Sequence, residues 1–337
     1  LLHVEPDMRD NFFDLGGHSL LVVSLLTRVE EVTGKRLQVA DVFNAPTIES
    51  LAVLLRGDVD LPASGPIDGP LVAMQPDGSL TPVFFVHPSG GSVGGYFPLA
   101  RALGSERPFY ALEGTQASQT QASEAERQIE SLAANYLEAI RAVQPNGPYI
   151  LGGWSSGGVI AFEMARQLQE RGADVPLVVL LDSVSPGAAN AGDSLSLLAG
   201  FAGNLGIPID LVSDELLQSE TETQLNWLLD QAHLSQALPP DVVLDDLRHL
   251  FELYLADIEA VKNYDPPTAS FPLLLLRAAD EQDSPEMIAR WTRLSSNRLE
   301  IQTVPGDHLT MMRPPHVTTL AEFLRECFVT RVRNSSD

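Results

Sequence analysis

The chain has 337 residues, 44% of them hydrophobic, and a formal charge of −24 from 21 basic and 45 acidic side chains. So acidic a surface repels phosphate backbones and anionic lipid, which argues against nucleic-acid and membrane partners. One cysteine excludes a disulfide within the chain, and the length suits two unequal domains.

The first 57 residues read as helices. The opening LLHVEP has no basic segment leading into an apolar one, so no signal peptide is read there and a cytoplasmic location is expected. That opening also starts inside a helical pattern, which suggests a piece of a longer protein. In DNFFDLGGHSLL (10–21), Ser19 stands at the start of a predicted helix whose apolar residues Val22, Leu25, Val29 and Val32 share one face. A phosphodiester on Ser19 would lie at the positive end of that helix. On spacing alone, though, a plain N-cap is the stronger reading. Gly34 ends the segment, and Thr47 caps a second helix at IESLAVLL. GDVDLPASGPIDGP (57–70) has the composition of a linker.

From about Leu71 the pattern changes. PVFFVH (82–87) is a short apolar strand entering the glycine-rich turn PSGGSVGG, and a helical segment is expected over 125–143. YILGGW reads as a strand, VIAFEMARQLQERG as a helix stopped by Gly172, and LVVLLD and LLLLRAAD as two more strands. Apolar strands alternating with amphipathic helices predict a mostly parallel sheet with helices on both faces. Residues 183–270 are too many for a simple crossover and read as an inserted helical lid. Its aromatic residues Phe201, Trp227, Phe251, Tyr254 and Tyr264 suit either a cavity lining or helix packing. Cys327, in an apolar helical pattern near the end, reads as a packing residue.

Gly153-Trp154-Ser155-Ser156-Gly157 is a G-x-S-x-G between a predicted strand and helix. A serine on such a turn is presented above the sheet as a nucleophile, and the N–H of the next residue, Ser156, faces the developing oxyanion. His308, in a loop after the strand LEIQTV, is the candidate base. His87 is expected to shape the glycine-rich turn, and His233 and His249 to be ordinary surface residues of helices. Asp182 and Asp280 each close a strand at the edge where the site must be, so either could orient the base. Asp307 adjoins the histidine but would need a sharp reversal to reach its ring. The second oxyanion donor is expected to be the backbone N–H of Ser89, with Gly90 next. No metal ligand set is read.

DNFFDLGGHSLL resembles the attachment motif of peptidyl carrier domains of nonribosomal peptide synthetases, in which Ser19 matches the serine bearing 4′-phosphopantetheine. His18 before it favours the peptidyl class over polyketide acyl carriers. FVHPSGG, GGWSSGG and GDH resemble the type I thioesterase domain that ends such synthetases, an α/β-hydrolase. The resemblance implies a carrier over 1–57, with residues 1–5 as the tail of the first helix of a four-helix bundle. It also implies a linker at 58–70 and a thioesterase over 71–332 with a lid at about 184–270. It assigns the acid to Asp182. The implied activity moves a peptidyl thioester from the arm on Ser19 to Ser155 and releases it by hydrolysis or ring closure. Implied partners are upstream condensation and adenylation domains and a phosphopantetheinyl transferase. The alternatives are a hybrid polyketide/peptide offloading enzyme, a simple carboxylesterase with a helical leader, and a degenerate docking module.

Overall fold

The computed structural model describes residues 6–10, 12, 15, 25–26, 28–30, 32–35, 37, 42, 45–56, 69–114, 127–187, 194–205, 207, 213–235, 237–238, 242–281, 284–296 and 298–333. Ser19, residues 1–5 and linker residues 58–68 lie outside them. The chain forms two compact units, Leu1–Pro66 with Gly192–Phe251, and Ile67–Ala191 with Glu252–Asp337. The helices with defined bounds, in chain order, are α1 (Ile48–Arg56), α2 (Phe97–Leu103), α3 (Ile129–Val143), α4 (Gly157–Glu170), α5 (Ser194–Asn204), α6 (Asp214–Leu217), α7 (Thr221–Leu234), α8 (Leu244–Asn263), α9 (Pro285–Leu294) and α10 (His316–Arg333). The strands are β1 (Leu71–Gln75), β2 (Val83–Val86), β3 (Phe109–Leu112), β4 (Ile150–Trp154), β5 (Leu177–Leu181), β6 (Leu273–Ala278) and β7 (Leu299–Val304).

In the first unit, α1 starts where its cap predicts. The Ser50 N–H donates to Thr47 Oγ1 at 3.1 Å and the Thr47 N–H to Ser50 Oγ at 3.1 Å, so two helix-end donors are satisfied reciprocally. The chain ahead of Ser19 is pinned to this helix, because the Phe12 N–H donates to the Pro46 carbonyl and the Glu49 N–H to the Met8 carbonyl. Phe12, Val42, Ala45 and Leu51 are buried. Gly34, in the left-handed region at φ 67°, donates its N–H to the Glu30 carbonyl and ends the preceding helical turn as expected. Val32 departs from the expected apolar face: at 84% exposure it lies beyond the packed turns. The Phe201 and Phe251 rings lie 5.0 Å apart and both side chains are buried, so these two serve helix packing.

The second unit is built on a seven-stranded sheet in the order β1-β3-β2-β4-β5-β6-β7. Only β1 is antiparallel to its neighbour. Successive side chains alternate between two cores, as the strand period requires. Phe84, Val86 and Leu151 join the core under α3, α4 and α9, while Val83, Phe85 and Ile150 join the core under α2 and α10. Cys327 packs against the second core, as expected. LVVLL is buried along its whole length. Strands β1 and β3 are additional to those expected from the sequence. The helix expected from residue 125 starts at Ile129, because Gln128 is extended at ψ 145°.

From β2 the chain winds to β3 on one side, and from β4 to β5 on the other. The carboxyl ends of β2 and β4 therefore flank a switch point, where an open α/β sheet leaves a crevice. Both turns singled out in the sequence open there.

Candidate active site

Ser155 follows directly on β4 and adopts φ 57°. For a residue with a side chain this left-handed conformation costs on the order of 1–3 kcal/mol and persists only where neighbours enforce it. Here they do. The Ser155 N–H donates to the Leu181 carbonyl at 2.9 Å, and α4 begins two residues later. A Cβ on Gly153 would lie 2.1 Å from the Gly157 carbonyl carbon, and one on Gly157 would lie 2.2 Å from the Val86 carbonyl oxygen. Glycine at both positions lets strand, turn and helix pass at this spacing. Ser155 is the one residue of the stretch 150–165 that is only half-buried.

Asp182 and His308, distant in sequence, meet in space. His308 Nδ1 and Asp182 Oδ2 are 2.7 Å apart. A carboxylate can only accept, so Nδ1 carries the proton and Nε2 is the basic nitrogen of the ring. Asp182 itself sits at φ 42° just past β5, gives its N–H to the Leu276 carbonyl and accepts the Ala278 N–H on Oδ1 at 3.1 Å. The imidazole is placed beside the elbow by Trp154: the two rings are 5.3 Å apart, and Trp154 Nε1 donates to the His308 carbonyl. The His308 N–H donates to Glu281.

The other acids are not brought to the ring. Asp280 is exposed, and its N–H serves the Gly306 carbonyl. Asp307 turns its carboxylate onto its own loop, accepting the N–H groups of Leu309 and Thr310 at 2.9 and 2.7 Å. It holds the loop that carries His308.

Ser89 and Ser156 are both buried, and the Ser89 hydroxyl donates to Ser156 Oγ at 2.9 Å. The Ser156 N–H lies at the first turn of α4, where a helix offers its N–H groups no internal acceptor. Gly90, the second choice, gives its N–H to Asp257 at 2.8 Å and is thereby committed. His87 is fully buried; its ring reaches the Pro88 carbonyl at 2.8 Å and the Tyr136 hydroxyl at 2.7 Å, which fits the expected role of shaping the turn. His233 and His249 lie on α7 and α8, but they are half-buried and not the surface residues expected, because the faces that carry them are packed.

Two features escape a linear reading. The buried Tyr96 hydroxyl donates to the Val86 carbonyl and accepts the Trp154 N–H, so it clamps the ends of β2 and β4 together. Glu163, on the inner face of α4 and fully buried, is held by Arg166, Gln167 and the Tyr264 hydroxyl. An acid and a tyrosine a hundred residues apart show no pattern in a sequence. Among the described residues, no group of His, Cys, Asp and Glu could hold a metal ion, and no helix is long and apolar enough to cross a membrane.

Comparison with known proteins agrees with this geometry. Residues 81–328 match the thioesterase domain family, and residues 1–55 match the phosphopantetheine attachment site. A chondramide synthase of Chondromyces crocatus is 31% identical over 94% of this chain, which spans 8% of that relative. A four-domain nonribosomal peptide synthetase, solved in its holo form with AMP and glycine, superposes at a TM-score of 0.70 with 31% identity. That match covers 97% of this chain and 25% of the synthetase. The NocB thioesterase domain, solved as a covalent complex with a fluorophosphonate nocardicin G analogue, superposes at 0.53 with 25% identity, covering 74% of this chain and 94% of that domain. The chain spans 4% to 35% of the length of the curated relatives it matches. Two independent matches in the order carrier then hydrolase, on a sheet of this topology, identify the chain as a member of the thioesterase domain family, preceded by a phosphopantetheine-bearing carrier domain of the nonribosomal peptide synthetase type.

Proposed function

We propose that this chain releases a carrier-bound peptidyl chain by two acyl transfers at Ser155, with His308 as base, Asp182 as its orienting acid and the N–H groups of Ser156 and Ser89 as oxyanion donors. The observation that carries the reading is the Asp182–His308 pair lying against Trp154, next to a strained and accessible Ser155.

Phosphopantetheine bound at Ser19 would supply the thiol on which the acyl group arrives as a thioester. Ser155 Oγ attacks the thioester carbonyl while His308 Nε2 takes the hydroxyl proton. As the C–O bond forms and the C–S bond breaks, His308 would give its proton to the leaving sulfur. In the second transfer a water, or a hydroxyl or amine within the cargo, attacks the Ser155 ester and gives an acid or a ring. Its proton passes through His308 back to Ser155 Oγ. Each oxyanion donor contributes about 3–4 kcal/mol to such a barrier. Tethering to the carrier holds the thioester near the site at roughly millimolar effective concentration. Upstream synthetase domains would build the cargo and a phosphopantetheinyl transferase would load Ser19.

The test uses the whole chain loaded on Ser19 with a synthetic peptidyl pantetheine. Ser155→Ala should abolish product release, measured by mass spectrometry, while Ser19 still accepts the arm. Release at the wild-type rate by Ser155→Ala would refute the nucleophile assignment. A fluorophosphonate that fails to label Ser155 in the wild type would favour a docking module instead.

A further inference from the structure

The oxyanion loop is held from outside by a carboxylate that the two acyl transfers do not use. Asp257 lies in the C-terminal half of α8, within the same compact unit as the loop, and accepts the Gly90 N–H on Oδ2 at 2.8 Å. Gly90 and its neighbour Gly91 both have positive φ, 95° and 82°, so this stretch of backbone has no side chains to lock it by packing. Hydrogen bonds must do it.

Their pattern bears directly on Ser89. The Ser89 N–H belongs to the same planar peptide as the Pro88 carbonyl. That carbonyl accepts from His87 Nδ1 at 2.8 Å and from the Gly91 N–H at 3.2 Å. Because the Pro88 carbonyl can only accept, His87 Nδ1 carries a proton toward it, and His87 Nε2 meets the Tyr136 hydroxyl at 2.7 Å. The peptide before Ser89 is thus fixed by His87. The peptide after it is fixed at its N–H by Asp257. The Gly91 carbonyl, in turn, accepts the Gly114 N–H at 2.9 Å. With both flanking peptides pinned, the direction of the Ser89 N–H is set before any substrate arrives. This is the condition for a preorganised donor.

We propose that Asp257 is a positioning residue for the oxyanion hole: its carboxylate anchors the Gly90 N–H to α8 and thereby holds the Ser89 peptide in its donating orientation. The proposal rests on the assignment of Ser155 as the nucleophile and of Ser89 as an oxyanion donor. Burial raises the pKa of Asp257, while His87, the Gly90 N–H and Arg127 pull it back toward the ionised form. A second acid, Glu113, lies near the same Tyr136.

The experiment compares Asp257→Ala and Asp257→Asn in the full chain with a soluble acyl pantetheine thioester and with a boronic acid, which mimics the tetrahedral intermediate. Losing a whole donor costs about 10²–10³ in kcat, so a loosened one should cost Asp257→Ala roughly 10- to 100-fold. KM should stay near the wild-type value, since the ground-state thioester does not need the hole. Boronate affinity should fall by the same factor as kcat. Asn keeps an oxygen that can accept from Gly90, and it should recover turnover to within about threefold of wild type. Should Asp257→Ala fail to fold, Asp257→Asn and the exchange rate of the Gly90 amide in that variant carry the test. A kcat and boronate affinity within twofold of wild type in Asp257→Ala would overturn the proposal, as would a loss in Asp257→Asn equal to that in Asp257→Ala. Ser155→Ala, assayed in parallel, separates the two levels. If it abolishes turnover while Asp257→Ala does nothing, the nucleophile stands and the positioning role falls.

Discussion

Replacing Asp182 with Asn tests the proposed triad at its most informative point. The carboxylate makes two acceptor contacts in opposite directions, to His308 Nδ1 at 2.7 Å and to the Ala278 N–H at 3.1 Å. An amide has one oxygen and one NH2, so it cannot repeat both. If its oxygen stays on Ala278, its NH2 faces Nδ1 and drives the ring proton to Nε2, where it blocks uptake of the serine proton. A wrong tautomer of this kind costs about 10⁴-fold in kcat. If the amide turns the other way, two donors face each other at Ala278 and an unsatisfied N–H costs about 1–3 kcal/mol, or roughly 5- to 150-fold if it falls on the active geometry. The expected loss in kcat therefore lies between about 5-fold and 10⁴-fold, with the thermal midpoint moved by only a few degrees. The assay is thiol release from a soluble acyl pantetheine thioester, followed with a thiol-reactive dye across pH 6–9. Asp280→Asn, whose exposed carboxylate has no contact with the ring, should stay within about twofold of wild type. A loss below about threefold in Asp182→Asn, or a larger loss in Asp280→Asn, would refute the assignment of the acid.

Two further outcomes follow from packing and burial. Gly157→Ala places a Cβ 2.2 Å from the Val86 carbonyl and 2.5 Å from that of His87, and backbone atoms have little room to yield. A cost of about 3 kcal/mol, at the upper end for overpacking, lowers the midpoint by roughly 6–12 °C and costs most of the activity. A midpoint within 2 °C of wild type by calorimetry would contradict the close-approach reading. Burial pushes the half-buried Glu113 carboxyl from its ordinary 4.5 up to about 7. The folded chain then holds a proton that the unfolded chain has lost between those values, so this group's contribution falls as pH rises through that window. The change amounts to at most about 3 kcal/mol, less in proportion to the solvent the group still meets. Glu113→Gln should remove it, so denaturant midpoints of variant and wild type should diverge between pH 5 and pH 8. Equal differences at the two pH values would be inconsistent with a raised pKa.

Much of the site is local, and what is local was legible in the linear chain. The nucleophile turn needs glycine on both sides of a serine between an apolar run and an amphipathic one, and all of that lies within about ten residues of Ser155. The cap at Thr47, the stop at Gly34 and the fully apolar strand LVVLL are equally local, because hydrogen bonds and side-chain period act over one or two turns. The choice between Asp182 and Asp280 is different in kind. Both close strands at the same edge of the sheet, and residue type does not distinguish them. The positive φ of Asp182 and the N–H of Ala278 on the next strand aim its carboxylate at a ring 126 positions away. Asp307 illustrates the converse: adjacent in sequence to His308, it is occupied with its own loop.

The sequence by itself determined the strand-turn-helix frame and singled out Ser155 and His308 as candidates, because each depends on residues that are neighbours along the chain. Residue spacing left the acid open; tertiary structure put Asp182 rather than Asp280 against the His308 ring, tied β2 to β4 through Tyr96, and set Asp257 on the Gly90 N–H. Those are contacts between groups brought together by the winding of the sheet, and no spacing or periodicity along the chain encodes them.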